Sequence, residues 1–306
     1  MPVCKEMAME ILYYPGCTLK NNATNFEESA LAAMKHLDIH LKELDRWYCC
    51  GTVFSMAQDN LMLKFGAIRN LIRVAEQEQD RLVTLCSMCY NTLRRANAFM
   101  RSDPERLRKV NDFMYLEPQT YDGNVRVMHL MELLDQDYGF ERLKEKVVFP
   151  LNGLKLGAYY GCMLVRPQEF SIDANYESPD IFERMLNSIG AEPLDFLYRL
   201  ECCGAYQTVT DPEVTCQRTY AIINSARRVG CEALVTSCPL CAYNLDQMQE
   251  ETEKLFADFE SLPVFYFSEL LYLCLTGRFK QEWYPKHHVD PKPLLQEKNL
   301  INEVVV

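Results

Sequence analysis

Two copies of one cysteine pattern dominate this sequence and limit the folds that are open to it. The chain has fourteen cysteines in 306 residues, and ten of them belong to the two copies. Each copy has a lone cysteine, then Cys-Cys-Gly, then Cys-x-x-Cys. The cysteines are Cys17, Cys49, Cys50, Cys86 and Cys89 in the first copy, and Cys162, Cys202, Cys203, Cys238 and Cys241 in the second. The fold must therefore unite cysteines that lie more than seventy residues apart in each half.

The same order of predicted elements surrounds the cysteines in both halves. A short β-like run ends in Gly-Cys at Cys17 and again at Cys162, and a helix-like segment with apolar residues at spacings of three and four follows each, at 26–37 and 179–189. A second strand candidate leads toward each Cys-Cys-Gly, and a longer amphipathic helix comes after it, at 60–75 and 214–229. The third strand reads Leu-Val-Thr at both 82–84 and 234–236, and each copy runs into Cys-x-x-Cys at the start of another helix. This order predicts βαβαβα, twice.

Strands that alternate with helices predict an α/β fold, here two pseudo-symmetric repeats with parallel sheets. Ligands of such sheets bind outside the carboxyl ends of the strands. Because every cysteine element follows a predicted strand, we expect three loops in each half to form one site at that edge. Gly16, Gly51, Gly161 and Gly204 suit such a site, since a residue without Cβ permits tight turns and close backbone approach.

Length and composition indicate about two domains and a sizeable core, because the chain has 306 residues of which 48% are hydrophobic. We predict a first repeat at 1–102 and a second at 153–306. Residues 103–152 have no cysteine, and we interpret them as a mostly helical connection without a counterpart in the second half. The stretch 149–153, which contains Pro and Gly, is the predicted boundary.

Charge and hydropathy narrow the class of protein. A net charge of −11 argues against a nucleic-acid partner, which requires a basic face. No segment reaches the ~20 apolar residues of a transmembrane helix, and the first residues lack the order of a signal peptide. We therefore expect a cytoplasmic protein, in which grouped cysteines bind metal or perform redox chemistry more often than they form disulfides.

Five thiolates in three loops favour an iron–sulfur cluster. A zinc site takes four ligands, usually from two Cys-x-x-Cys-like pairs, whereas each half has one such pair. The tight run of four cysteines that binds a cubane cluster in ferredoxins does not occur in the chain. Adjacent cysteines suit a cluster whose irons are not equivalent. Zinc in at least one half, or reactive dithiols without metal, are the alternatives.

Both complete copies resemble the CCG-domain (cysteine-rich domain) family in its duplicated form, the B subunit of heterodisulfide reductase. The resemblance implies that each half holds one non-cubane 4Fe-4S cluster, with ligands Cys17, Cys49, Cys50, Cys86 and Cys89 for the first cluster and Cys162, Cys202, Cys203, Cys238 and Cys241 for the second. It also implies that a disulfide substrate enters between the clusters and is cleaved to two thiols. Delivering two electrons from two facing one-electron centres avoids a free thiyl radical.

The resemblance implies partners as well. The chain has no Gly-x-Gly-x-x-Gly dinucleotide motif, so a partner must supply the electrons. The resemblance implies that this partner is the ferredoxin-like C subunit of heterodisulfide reductase, and that the flavin-containing A subunit of an electron-bifurcating complex lies beyond it. After the second Cys-Cys-Gly, Tyr206 and Gln207 stand where methanogen relatives have a glycine-rich loop, which argues for another disulfide than that of coenzymes M and B. The alternative is a CCG-domain electron-transfer subunit of a dehydrogenase or quinone-linked complex, without a disulfide substrate of its own.

Overall fold

The computed structural model describes residues 9–52 and 60–301, and within them two four-stranded sheets. The first sheet contains β1 (Met9–Tyr14), β2 (Ile39–Glu43), β3 (Arg81–Thr84) and β4 (Arg126–His129). The second contains β5 (Lys155–Ala158), β6 (Glu192–Pro193), β7 (Ala233–Thr236) and β8 (Val264–Tyr266). All neighbouring strands are parallel, in the orders β2-β1-β3-β4 and β6-β5-β7-β8. The predicted α/β class with two parallel-sheet repeats is confirmed.

Helices connect the strands and cover the sheets. The helices of the first half are α1 (Thr24–His36), α2 (Phe65–Glu76), α3 (Ser87–Arg101), α4 (Pro104–Phe113), α5 (Leu130–Leu133) and α6 (Phe140–Lys146). Those of the second half are α7 (Ile181–Ser188), α8 (Pro212–Arg228), α9 (Pro239–Ala242), α10 (Gln249–Leu255), α11 (Phe267–Thr276) and α12 (Lys292–Glu297). Short 3-10 turns occur at Leu61–Lys64, Gln168–Phe170 and Tyr284–Lys286, and π-helical turns at Leu134–Tyr138 and Tyr243–Gln247. The predicted helices at 26–37, 60–75, 179–189 and 214–229 thus correspond to α1, α2, α7 and α8.

The fourth strand of each sheet departs from the predicted repeat. β4 lies inside 103–152 and pairs with β3, from Arg81 opposite Arg126 to Thr84 opposite His129. β8 occupies the same place beside β7. The interpretation of 103–152 as a segment without a counterpart is therefore wrong, although helices α4, α5 and α6 do lie in it. The domain boundaries at 102 and 153 themselves stay predictions.

Each fourth strand leads directly into a helix, and the two helices begin with the same capping arrangement. The backbone N–H of His129 donates to Glu132 Oε2 at 2.8 Å, and that of Tyr266 donates to Glu269 Oε2 at 2.8 Å. Each pair forms a capping box, which satisfies backbone donors that the first helical turn leaves open. The repeat therefore extends through β4 and α5 in the first half and through β8 and α11 in the second.

The halves share one hydrophobic core, because helices of each pack on the other. Phe26 of α1 stacks on Tyr266, with ring centroids 4.2 Å apart, and meets Phe267 of α11 edge to face. Ser29 and Ser268 place their hydroxyl oxygens 2.6 Å apart in the same interface. In the opposite direction, Arg184 of α7 pairs with Asp135, just beyond α5. These exchanged contacts hold the two sheets in a fixed relation.

Across residues 9–52 and 60–301, none of the helices combines the length and apolar character that crossing a lipid bilayer requires.

Candidate metal centres

The first five predicted cysteines meet at the carboxyl edge of the first sheet. Cys17 follows β1, Cys49 and Cys50 follow β2, and Cys86 and Cys89 lie between β3 and the first turn of α3. The Sγ atoms of Cys17 and Cys49 are 3.6 Å apart, as are those of Cys50 and Cys89. Cys49 is exposed and Cys17 half-buried, whereas the other three thiols are buried. The parallel strands thus bring all three cysteine elements to one place, as expected.

The second five predicted cysteines repeat this arrangement on the other sheet. Cys162 follows β5, the Cys202 and Cys203 pair follows β6, and Cys238 and Cys241 flank the start of α9. The Sγ atoms of Cys203 and Cys241 are 3.6 Å apart, and the backbone N–H of Gly204 donates to Cys202 Sγ at 3.4 Å. Cys162 and Cys202 are half-buried, and the other three are buried. Each site therefore has a covered inner side and a more open outer side.

A glycine lets the lone cysteine approach the Cys-x-x-Cys in both halves. Gly16 has φ +74° and Gly161 has φ +64°, in the left-handed region that favours glycine. A Cβ on Gly16 would lie 2.9 Å from Cys89 Sγ, and one on Gly161 would lie 3.3 Å from Cys241 Sγ. Glycine is thus required in each turn, both by the left-handed backbone conformation and by the closeness of a thiol.

A buried tyrosine holds each Cys-Cys loop. Tyr14 donates its hydroxyl hydrogen to the carbonyl oxygen of Tyr48 at 2.8 Å, and Tyr159 donates to that of Glu201 at 2.6 Å. Tyr48 and Glu201 directly precede the two Cys-Cys pairs. Both rings are fully buried beneath the Gly-Cys turns. Sequence analysis did not assign this role, although a tyrosine before the Gly-Cys turn in both halves was the available signal.

Hydrogen bonds between neighbouring thiols lower the pKa of one cysteine and raise that of its partner, as they raise the pKa of Cys89 and Cys241. Hydrogen bonds from Cys49 and then Cys89 hold the pKa of Cys50 well below its ordinary value. Bonds from Cys238 and then Cys89 do the same for the pKa of Cys86. The pKa of Cys202 falls to about 2, because Cys162 and then Cys203 donate to it and outweigh the opposing effect of burial.

The two sites touch each other. The N–H of Ser87 donates to the carbonyl oxygen of Ser237 at 3.1 Å, and the two serine hydroxyl oxygens are 2.7 Å apart. Each serine is the neighbour of a cysteine, Ser87 of Cys86 and Ser237 of Cys238. The inner sides of the two thiol sets therefore meet where the halves join.

A narrow, mostly apolar pocket opens on the second site. It is lined by Ser87 and Met88 from the first half, and by Tyr160, Cys162, Met163, Cys202, Cys203, Ala205, Tyr206, Cys238, Leu240 and Cys241 from the second. The ring of Tyr206 lies in it, whereas Gln207 accepts a hydrogen bond from Thr210 and does not line it. The histidines at 36, 40, 129, 287 and 288 do not line this pocket either. His129 is buried, which lowers its pKa to about 3 and keeps it neutral.

The donor set of each site fits a polynuclear iron–sulfur cluster. Five thiols approach from three loops, and most of them are shielded from water. Thiolates are the ligands that iron–sulfur clusters take in proteins. Within residues 9–52 and 60–301, no three His, Cys, Asp or Glu side chains are placed to hold a single metal ion. Cys216, Cys231 and Cys274 are also buried, and they belong to neither set of five.

The fold and the two thiol sets define a duplicated, cysteine-rich α/β protein. The sequence model named CCG, cysteine-rich domain, matches residues 11–94 and 156–246. The chain therefore belongs to the CCG cysteine-rich domain family, and the resemblance to this family is confirmed.

Curated relatives match the chain over most of its length. It is 34% identical over 272 residues to the 8-methylmenaquinol:fumarate reductase membrane anchor subunit of Wolinella succinogenes, covering 88% of this chain and 93% of that one. It is 28% identical to the B subunit of the ferredoxin:CoB-CoM heterodisulfide reductase of Methanosarcina mazei, covering 85% and 87%. It is 27% identical to a protein of Archaeoglobus profundus that is named for its likeness to the heterodisulfide reductase B subunit, covering 85% and 88%. These relatives place the chain among oxidoreductase subunits.

A solved structure shares the fold. The crystal structure of a hypothetical protein from Helicobacter pylori superimposes with a TM-score of 0.73 at 11% identity. It covers 92% of this chain, and this chain covers 53% of it. At that identity the likeness concerns the fold alone.

Proposed function

We propose that the ten cysteines hold two iron–sulfur clusters and that this chain is the subunit of a multi-subunit oxidoreductase in which a small disulfide is reduced to two thiols. The observation that carries the proposal is the contact between the two sites, where Ser87, next to Cys86, and Ser237, next to Cys238, place their hydroxyl oxygens 2.7 Å apart. Reduction of a disulfide consumes two electrons and two protons. Two adjoining one-electron centres match this requirement for two electrons.

A bound cluster at each site would supply one electron and an iron that acts as a Lewis acid. The ligands would be Cys17, Cys49, Cys50, Cys86 and Cys89 for the first cluster, and Cys162, Cys202, Cys203, Cys238 and Cys241 for the second, both of the non-cubane 4Fe-4S type. Tyr14 and Tyr159 fix the Cys-Cys loops through their hydrogen bonds to the preceding carbonyl oxygens.

All five thiols of the second set line the pocket, so the second cluster would occupy it and a substrate would have to reach the cluster past the other lining residues. Met88, Met163 and Leu240 present apolar surface beside the thiols and keep water away from them. The ring of Tyr206 occupies space at the pocket wall, which favours a small disulfide over the bulky one formed by coenzymes M and B. Protons for the product thiols come from solvent on the open side, where Cys162 and Cys202 are half-buried.

Electrons reach this chain from a partner. Among the relatives are heterodisulfide reductase B subunits whose names include ferredoxin. We therefore propose that a ferredoxin-like subunit is the direct donor and that a flavin-containing subunit, which bifurcates electrons, lies behind it. The complex is cytoplasmic in this proposal.

A second candidate function is that of an electron carrier in a quinone-linked complex. It is supported by the 34% identity to a subunit of 8-methylmenaquinol:fumarate reductase, which exceeds the identity to the heterodisulfide reductase subunits. In that case the same two sites pass electrons between partner subunits, and no disulfide reacts at them.

One experiment separates these functions. Protein purified without oxygen is assayed for iron, acid-labile sulfide and zinc, then titrated with small disulfides and thiols while its electron paramagnetic resonance (EPR) spectrum is recorded. We expect iron and sulfide in equal amounts, and a spectrum that changes with the disulfide. Cys231→Ser, at a buried cysteine that belongs to neither set of five, is the matched control and should behave as wild type. Clusters that respond to no disulfide or thiol favour the carrier, and zinc without sulfide contradicts both functions.

A further inference from the structure

Asn244 is a buried amide that contacts a thiol of the second site. It lies three residues after Cys241, in the π-helical turn Tyr243–Gln247, and is 1% exposed. Its Nδ2 donates to the carbonyl oxygen of Cys203 at 3.1 Å and lies 3.6 Å from the Sγ atom of the same residue. One amide group thus reaches both the backbone and the sulfur of one predicted ligand.

The orientation of this amide is fixed by its neighbours. Asn244 Oδ1 accepts a hydrogen bond from the Thr208 hydroxyl at 2.9 Å, so the Nδ2 end must face Cys203. The backbone carbonyl oxygen of Asn244 accepts from Thr219 at 2.9 Å. The side chain is therefore held at both ends, in a protein interior where each hydrogen bond is electrostatically stronger than in water.

Counted from the Cys-x-x-Cys, the first half has a different residue at this distance. Thr92 lies three residues after Cys89, as Asn244 does after Cys241, but α3 continues there as a regular helix without a π turn. The Thr92 hydroxyl donates back to the carbonyl oxygen of Met88 at 2.7 Å. π-helical turns are frequent at functional sites, and here the turn lies where the amide reaches the thiol.

An N–H group beside a cluster ligand changes the redox equilibrium. Reduction adds negative charge, and an N–H donor to a ligand sulfur stabilises that charge, so hydrogen bonds to sulfur help set the potential of an iron–sulfur centre. Backbone N–H groups also serve these sites, from Gly204 to Cys202 at 3.4 Å and from Thr52 to Cys50. Substituting a side chain leaves those backbone donors in place, whereas the Asn244 donor can be removed alone.

We propose that Asn244 is a positioning residue that raises the reduction potential of the second centre through its hydrogen bond to Cys203. The inference rests on the proposed function insofar as each site holds a redox-active cluster. It goes beyond that function because it names one uncharged residue, Asn244, as a cause of a higher reduction potential at the second site. Only one electron is gained in this equilibrium, and it is supplied by the donor subunit or by a chemical reductant.

The test compares Asn244→Thr, which installs the residue of the first half, with Thr208→Val and Thr92→Val. Each anaerobic holoprotein is first assayed for iron and sulfide and then titrated with dithionite under EPR detection. For Asn244→Thr we expect one centre to become about tenfold harder to reduce, equal to about 59 mV for one electron, while the other centre is unchanged. Thr208→Val should shift the same centre in the same direction by less, since the amide remains but loses its anchor. Thr92→Val should shift neither.

Different failures point to different conclusions. Full iron and sulfide with unchanged potentials in Asn244→Thr overturns the inference and leaves the proposed function intact, as does an equal shift of both centres. If Asn244→Thr loses the second cluster, Thr208→Val decides: an unshifted centre at full iron content overturns the inference, and a lowered potential supports it. Wild-type protein without iron and sulfide overturns the proposed function and the inference together.

Discussion

At Gly16 and Gly161, substitution by alanine probes how closely the Gly-Cys turn approaches a thiol. Alanine at either position adopts left-handed backbone, which costs about 1–2 kcal/mol. Gly16→Ala also brings Cβ to 2.9 Å from Cys89 Sγ, against 3.3 Å from Cys241 Sγ for Gly161→Ala. We expect both variants to lose iron, with the greater loss in Gly16→Ala, as measured by iron content per chain after anaerobic purification.

The matched control for these glycines is Gly153→Ala. Gly153 has φ +75° and no atom near the position of an added Cβ, so it carries the backbone cost without the crowding. It should lower the thermal stability but keep full iron content. Equal iron loss in all three variants would show that backbone strain, not the approach to the thiols, decides cluster retention.

His287 gives the protein a pH-dependent stability. Its Nε2 lies 3.0 Å from Glu269 Oε1 and its Nδ1 lies 3.0 Å from the Val264 carbonyl oxygen, and both partners are acceptors. Burial alone would lower its pKa, but the charges of Glu269 and Asp246 and these hydrogen bonds raise the pKa to about 9 from 6.5. Its contribution is therefore complete below pH 6.5 and is lost as the pH rises through about 9.

The measurement is urea denaturation of wild type and His287→Gln from below pH 6.5 to above pH 9. We expect the difference in their free energies of unfolding to be largest at the acidic end and to shrink with rising pH. Using the difference cancels the titration of the cysteines, which both proteins share. A difference that does not vary with pH contradicts the assignment of a protonated His287.

Among the secondary-structure elements, α1 and α11 bind the halves together. Phe26 of α1 is fully buried against Tyr266 and Phe267. Phe26→Ala should therefore cost about 3–5 kcal/mol of unfolding free energy, as large truncations in a core do. Leu31→Ala lies on the same helix, at a residue that is 38% exposed, and should cost less than about 0.5 kcal/mol. Urea denaturation measures both, and similar costs would contradict the packing role of Phe26.

The elements that sequence analysis predicted correctly are those whose signal lies within one short segment. The Leu-Val-Thr strands and the amphipathic helices at 60–75 and 214–229 correspond to β3, β7, α2 and α8. β4 was missed because its four residues follow a polar, partly exposed stretch, and its strand character comes from pairing with β3 more than forty residues earlier. The Glu-Leu-Leu of 132–134, repeated at 269–271, was the signal that it belonged to the repeat.

For the candidate sites, the cysteine spacing was sufficient to predict that three loops meet at each sheet edge. It was not sufficient to predict the contact of the two sites, because Ser87 and Ser237 meet only through packing between the halves. The spacing also did not indicate the contact of Asn244 with a thiol. That contact depends on a π-helical turn, which sequence periodicity does not predict.

At the scale of the whole molecule, the contact between the two sites predicts that a substitution in one site can change the EPR signal of the other. Cys238 directly follows Ser237, whose hydroxyl oxygen lies 2.7 Å from that of Ser87 beside Cys86, whereas Cys162 is half-buried at the outer side of the second site. We expect Cys238→Ser to perturb the EPR signal of the first centre as well as the second, and Cys162→Ser to perturb the second alone. Spectra recorded on the two reduced variants test this, and an unaltered first centre in Cys238→Ser would contradict it.

The exchanged packing of α1 on α11 and of α7 beside α5 is the kind of contact that two identical subunits make about a two-fold axis. Each half contributes a helix that packs on the other half and a surface on which a helix of the other half packs. A single repeat therefore has both parts of a self-complementary dimer interface. Joining two copies in one chain removes the requirement that they remain identical. Thr92 and Asn244, which each lie three residues after the last cysteine of their set and make different hydrogen bonds, are a difference that a symmetric dimer of one gene product does not permit.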